Sequence, residues 1–268
     1  MLSRHQIVRM EPKQVLAWTK ARADSNHVMG RGMQPRASGG YCCSISVIIP
    51  AHNEQDYLGR TLDALNCQDY PEWEIIVVAN GCIDRTAEAA QGKCHRLVTL
   101  AQKNLGVARN LGARMATGEL LVFLDADTTL ERGALRVIGE QFTESCAGGT
   151  LKGRPDSNRF AYRLIYWLKN FTHRFIVHNG SSGVIICWKQ DFTRVGGFDE
   201  KLELRENSHL VRRLKKFGRY KYISAASATT SMRRYERRGI WPIVWLWLKL
   251  WALGPFTDLR QRRYESVR

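Results

Sequence analysis

Leu120-Leu121-Val122-Phe123-Leu124-Asp125-Ala126-Asp127 is an unbroken apolar run that ends in two carboxylates one residue apart. A run of this kind, with β-branched and aromatic types in it, suits a strand covered on both faces. The aspartates then belong at the strand's carboxyl end, the edge where open α/β sheets bind ligands. In an extended segment residues i and i+2 point to the same side, which sets Asp125 and Asp127 against one ligand. Two hard oxygen donors suit a Mg²⁺ or Mn²⁺ ion that keeps several waters and takes phosphate oxygens as its other partners. An isolated Asp-x-Asp reads first as a capped turn, so the surrounding segments have to decide.

Upstream, Ile45-Ser46-Val47-Ile48-Ile49-Pro50 and Glu74-Ile75-Ile76-Val77-Val78 read as strands, and His95 to Leu100 as a third. Between them, Asn53 is placed to cap a helix carrying Leu58, Leu62 and Leu65, and Asp84 to cap one through Ala90. A helix near Val107 to Met115 leads into the strand that ends at Asp125. Alternation of this kind predicts an α/β fold with a mostly parallel sheet covered by helices on both faces. The loops Ala51-His52-Asn53-Glu54, Ala79-Asn80-Gly81-Cys82 and Asp125-Ala126-Asp127 then open on one edge, with a helix N-terminus favouring an anion there.

Residues 1–43 show weak periodicity and read as a poorly ordered extension, with one short helix near Gln14 to Arg22. Met1 to Pro35 has no apolar core of signal-peptide length, so secretion by that route is not expected. The seven cysteines are odd in number and lack zinc-site spacing, which fits a reduced cytosolic compartment. The formal charge is +16, and Lys201 to Arg268 supplies 17 Lys or Arg against 5 Asp or Glu. Such a surface attracts polyanions.

The loops, in this order, resemble the family 2 glycosyltransferases with the GT-A fold. The resemblance runs from about Ser44 to about Met232, through Ser-Val-Ile-Ile-Pro-Ala-His-Asn-Glu (46 to 54), Val-Val-Ala-Asn-Gly-Cys-Ile-Asp-Arg-Thr (77 to 86), Asn104 to Asn110, the Asp125/Asp127 pair and Val195 to Glu200. It implies transfer of a sugar from a UDP- or GDP-type donor with inversion at the anomeric carbon. Carried over by position, Pro50, Ala51 and Glu54 line the nucleoside pocket, and Asn80 stands where many members have an Asp that meets the base. Arg109 faces the nucleotide, Asp125 holds the ribose or a metal-bound water, and Asp127 holds the metal. Asp84 reads better as a cap than as a binding group.

The second half departs from the family pattern. Asn179 to Gly183 is a loop entering a strand at Val184-Ile185-Ile186, and Gly196-Gly197-Phe198-Asp199-Glu200 resembles the family's acceptor-side turn. In the next helix Asn207 occupies the place of the Asp proposed as catalytic base, and an amide cannot take a proton usefully. Glu206 is the nominated base, with His209 a second candidate. A chain that binds nucleotide sugar without catalysis is the alternative.

Two segments bear on the acceptor. Phe160, Leu164, Trp167, Leu168, Phe171 and Phe175 recur at helical spacing among basic residues. Packing against the domain or a dimer partner and contact with a membrane both fit that pattern. Ile240 to Phe256 holds four of the eight Trp but is interrupted by Pro242 and Lys249, too short and broken to span a bilayer. It reads as an interfacial element of a basic, Trp-rich C-terminal segment, 233–268, that follows a catalytic domain at 44–232. Arg233 and Arg234 either flank that element on anionic lipid or fold back on a donor pyrophosphate. The expectation is a peripheral protein on the cytoplasmic face, acting on a lipid-linked or membrane-proximal acceptor. No nucleic-acid module is present, so nucleic acid is not an expected partner.

Overall fold

Continuous apolar sequence produces strands buried on both faces, and the alternation of side chains assigns them to two layers. The computed structural model describes residues 6–10, 43–175, 183–202, 205–242 and 245. The central strands are β2 (Ile45–Ala51), β3 (Trp73–Asn80), β4 (Arg96–Leu100) and β5 (Leu120–Leu124). Along β5, Leu120, Val122 and Leu124 enter one core layer, and Leu121 and Phe123 enter the other. The first layer is covered by α1 (Leu58–Asn66), through Leu58, Leu62 and Leu65, and by Leu135 and Ile138 of α4 (Ala134–Gln141); α2 (Thr86–Ala90) lies between β3 and β4. The second layer is covered by α3 (Leu105–Met115), by α6 (Lys189–Arg194) through Phe192, and by α7 (Glu206–Leu214). Each fully buried Leu or Ile contributes roughly 1.5–3 kcal/mol.

Among the described residues the strands form one sheet in the order β1-β4-β3-β2-β5-β8-β7-β9-β6. It includes β1 (Gln6–Met10), β6 (Thr128–Leu130), β7 (Cys146–Pro155), β8 (Val184–Trp188) and β9 (Arg219–Thr230). From β1 to β5 the pairing is parallel, as the alternation predicts. Beyond β5 it turns mixed: β8 pairs antiparallel with β5 and β7, β9 runs parallel to β7, and β6 is antiparallel to β9. Two expectations for the N-terminus fare differently. Gln6–Met10, inside the stretch read as an extension, is an edge strand paired with β4, whereas Gln14 to Arg22 lies outside the described residues. The described cysteines Cys43, Cys67, Cys82, Cys94, Cys146 and Cys187 are free thiols.

Helix α3 lies unusually close to the sheet because Gly112 faces β2. A Cβ there would collide with Ile48 Cγ2 and touch Val78. Gly112→Val should therefore lower unfolding free energy by about 1–3 kcal/mol, read as a reduced urea midpoint with an unchanged m-value. A midpoint equal to the parent's would mean that α3 is not seated this tightly.

Candidate active site

The tips of β3, β2 and β5 stand side by side, and each ends in a polar loop whose shape follows from local hydrogen bonds. After β2 the chain reverses at Asn53, which adopts φ 53°, a left-handed conformation that asparagine tolerates. Its Oδ1 accepts from the Ile83 N–H at 3.0 Å, so Asn53 braces two loops and does not cap α1 as the sequence suggests. The first turn instead opens at Glu54, whose carbonyl accepts from the N–H groups of Tyr57 (3.0 Å) and Leu58 (2.9 Å). The Glu54 N–H donates to Thr86 Oγ1 at 2.7 Å. Asp84 accepts from the Thr86 and Gln55 N–H groups, so it meets the first N–H of α2 and braces the neighbouring loop, while the N-cap position expected of it is held by Arg85. Burial disfavours the ionised form of Asp84, but the Thr86 and Gln55 hydrogen bonds outweigh that and hold its carboxyl below the usual range.

Asn80 is almost fully buried at the end of β3. Its Oδ1 accepts from the Asn104 N–H at 2.8 Å, and His52 Nδ1 lies 2.8 Å from its carbonyl oxygen. The amide that the resemblance places against a nucleobase thus joins the β3 tip to the start of α3, which Asn104 caps through Val107 N–H. Gly81 follows at φ +62°, where a Cβ would stand 2.6 Å from the Lys103 nitrogen. Pro50 is buried and Ala51 has no exposed surface, so neither side chain lines an open recess.

After β5 the chain is not extended. Thr128 N–H returns to the Asp125 carbonyl at 3.0 Å, and Thr61 Oγ1 donates to the Ala126 carbonyl at 2.8 Å, so Ala126 and Asp127 form a turn held on α1. The same-side argument from strand geometry fails here, and the two carboxylates meet different arginines. Asp125 Oδ1 accepts from Arg109 Nη2 at 3.1 Å, and Asp127 Oδ2 accepts from Arg233 Nη2 at 3.1 Å.

Arg109, buried on α3 and expected from the resemblance to face the nucleotide, is the hub of one half of the site, with Asp125 and the start of α7. Its Nη1 donates to Glu206 Oε1 at 3.0 Å and to Asn207 Oδ1 at 2.9 Å, and its guanidinium lies 5.0 Å from the Phe198 ring centroid. Both residues are delivered by the first turn of α7, entered through Arg205 at φ 59°. Arg233 begins α8 (Arg233–Arg238) and is the hub of the other half. It donates to Glu54 Oε1 at 2.6 Å as well as to Asp127, over the Tyr57 ring at 4.1 Å. A boundary placed between Met232 and Arg233 would therefore cut through the site. Of the two directions the sequence leaves open for Arg233, it folds back, onto the Glu54 and Asp127 carboxylates. Arg233 is separated from Asp127 by 106 residues, and no local pattern marks the pairing. The sequence reading gives no role to Tyr57, three residues past the first motif, or to Thr86, the last residue of the second; neither carries charge.

Burial, then the nearby Asp125 and Glu54 carboxylates, push Asp127 up to about 6 against the opposing pull of Arg233 and Arg234. The Asp127 and Asp125 carboxylates are hard oxygen donors of the kind a hard divalent cation takes. No group of three or more His, Cys, Asp or Glu among the described residues could hold an ion by itself, so a cation here needs phosphate and water oxygens to complete its shell. A small recess beside Asp127 is lined by Tyr57, Thr61, Asp156, Thr229 and Ser231.

The family model for glycosyl transferase family 2 matches residues 46–194, more than half of the chain. The chain belongs to that family. Two relatives illustrate the range of similarity: glycosyltransferase AglE of Haloferax volcanii is 35% identical over 135 residues, 42% of this chain and 44% of the relative. Amylovoran biosynthesis glycosyltransferase AmsB of Erwinia amylovora is 34% identical over 101 residues, 35% of this chain and 34% of the relative. The match spans less than half the length of either relative. Solved structures share the fold of this family 2 member. TarS 1-349 of Staphylococcus aureus, in complex with UDP, superposes with a TM-score of 0.54 at 21% identity, over 70% of this chain and 60% of the TarS 1-349 chain. The mannosyltransferase PcManGT of Pyrobaculum calidifontis, solved with GDP-Man and Mn²⁺, gives 0.59 at 18% identity, over 80% and 64%. The architecture is the GT-A fold.

Proposed function

We propose that this chain is an inverting glycosyltransferase that moves a sugar from a nucleotide diphosphate donor to a lipid-linked or membrane-proximal acceptor on the cytoplasmic face of a membrane. The observation that carries the reading is the gathering of Glu54, Asp127 and Arg233 beside Asp125, Arg109 and Glu206 at one sheet edge. Complexes of fold neighbours with UDP-GlcNAc and with GDP-Man and Mn²⁺ support a nucleotide-sugar ligand. Names such as amylovoran biosynthesis glycosyltransferase point to cell-envelope polysaccharide.

Asp127, with Asp125 beside it, would hold Mg²⁺ or Mn²⁺, which neutralises the charge gathering on the leaving diphosphate. Arg233, seated on Tyr57 and already paired with two carboxylates, places a second cation where phosphate oxygens enter. The backbone at Pro50 and Ala51, with Glu54 and Asn80, shapes the nucleoside end. Arg109 holds Glu206 toward the acceptor side. As the acceptor oxygen bonds to the anomeric carbon and the bond to the diphosphate breaks, Glu206 takes the hydroxyl proton.

Asn207 keeps a second reading in play, a nucleotide-sugar binding protein without turnover. A panel of UDP- and GDP-sugars, with and without Mg²⁺ or Mn²⁺, scored for bound nucleotide and released diphosphate, tests both. The transferase reading expects metal-dependent release that falls roughly 10²-fold or more in Glu206→Gln with donor binding kept. Binding without release by the parent chain would leave only the second reading, and unchanged turnover in Glu206→Gln would remove Glu206 as base.

A further inference from the structure

Helix α5 (Phe160–Phe175) is mounted inside out. Its buried positions are Tyr162, Tyr166 and His173, whereas Phe160, Leu164, Trp167, Leu168, Phe171 and Phe175 are exposed to between 43% and 78%. Two contacts fix this orientation. The Asn170 side chain accepts from the Gly153 N–H and donates to the Gly153 carbonyl, both at 2.9 Å, stitching the helix to β7. Tyr162 and Tyr166 form a small separate core with Met232 and Tyr235, against which Ile165 and Ile240 also pack. The outward stripe is therefore held in place by Asn170 and the two inward tyrosines, and a soluble monomer would carry it only at a solubility cost.

We infer that the exposed face of α5 docks on the surface of a bilayer containing anionic lipid, setting the bilayer beside the recess at Asp127. The charges on the helix complement such a surface. Arg159, Arg163 and Arg174 are exposed around the stripe, and Phe160 to Phe175 contains no acidic residue. Trp167 lies among aliphatic and phenyl side chains, the composition that settles at headgroup depth. Beyond α8, Ile240 joins the same small core while Trp241 and Trp245 remain exposed, adding indole surface next to α5. No helix among the described residues is long and apolar enough to cross a membrane, so the contact is with the surface. Position links this face to chemistry. Asp156, four residues before α5, lines the recess with Asp127 and accepts from the Met232 N–H at 2.9 Å, next to Arg233. An acceptor tethered to lipid then needs little reach.

This deepens the membrane-proximal part of the proposed function, and its test is separate from catalysis. The full chain is sedimented with vesicles of phosphatidylcholine alone and of phosphatidylcholine with phosphatidylglycerol, alongside Trp167→Ser/Phe171→Ser and, independently, Leu164→Ser/Phe175→Ser. The parent should bind the anionic vesicles, and each double variant should bind them roughly tenfold or more weakly while keeping the parent's unfolding midpoint and nucleotide-sugar binding. Full binding by both variants, or none by the parent, overturns the inference. So does loss of a parent dimer in the variants with vesicle binding unchanged, which would make the face a contact between copies. Vesicle binding by a chain that ignores every nucleotide sugar would sink the transferase reading and leave this one standing.

Discussion

Asp127→Asn should abolish diphosphate release while making the folded chain more stable at pH 7, not less. The Asp127 carboxyl is buried among like charges and titrates near 6, above its ordinary value of 3.8. A carboxyl whose folded value is raised stabilises the fold at low pH, where it is protonated in both states. That contribution disappears as pH rises through the folded value, here between about 4 and 6. At pH 7 the ionised form therefore costs about 1–3 kcal/mol. Asparagine keeps an oxygen for Arg233 and removes the charge. Unfolding midpoints for parent and variant at pH 4 and pH 7 are the measurement. The gain should be present at pH 7 and absent at pH 4, and equal midpoints at both would deny that Asp127 is held in tension. A second consequence follows from the same titration: in the parent, Mn²⁺-dependent nucleotide binding should weaken as pH falls through about 6.

The strand-tip half of the site is legible because it is written locally. An apolar run followed by a polar loop fixes where a strand stops, and parallel alternation puts all such stops on one edge, so Glu54, Asn80 and Asp127 could be grouped before any coordinates. The details that failed did so for reasons of loop geometry. Asn53 entered the left-handed region to reach Ile83, and the chain at Ala126 turned to reach Thr61; both choices are made by partners about 30 and 65 residues away. The antiparallel half of the sheet was less legible. The 3.6-residue period of α5 announced an apolar stripe correctly but could not say which side faces the protein. Asn170 and the two tyrosines decided that, and polar residues carry no sign of their partners in a hydrophobicity pattern. For Arg233 the sequence offers folding back only as one of two uses for an arginine in a basic tail, and it takes the fold to select Glu54 and Asp127 as its partners.

Arg109→Met should cost about 3–5 kcal/mol in unfolding free energy and remove turnover. Arg109 is 4% exposed and its guanidinium is shared by Asp125, Glu206 and Asn207. Removing it leaves the nearly buried Glu206 carboxylate without that ion pair, whereas Asp125, at 41% exposure, can turn to water. Arg109→Lys should recover only part of the loss, because a single ammonium cannot serve three acceptors spread over two nitrogens. The same balance explains why Asn at 207 is compatible with the fold. Beside Arg109 the cluster holds two carboxylates, and an aspartate at 207 would make three anions against one buried cation. The coupling is measurable: Arg109→Met combined with Glu206→Gln should be less destabilised than the sum of the single changes by about 0.5–3 kcal/mol in urea unfolding. Strict additivity would mean that the Arg109–Glu206 pair is not formed in solution. Arg109→Lys with the parent's stability and turnover would show that the fork is not what holds α7 to the donor edge.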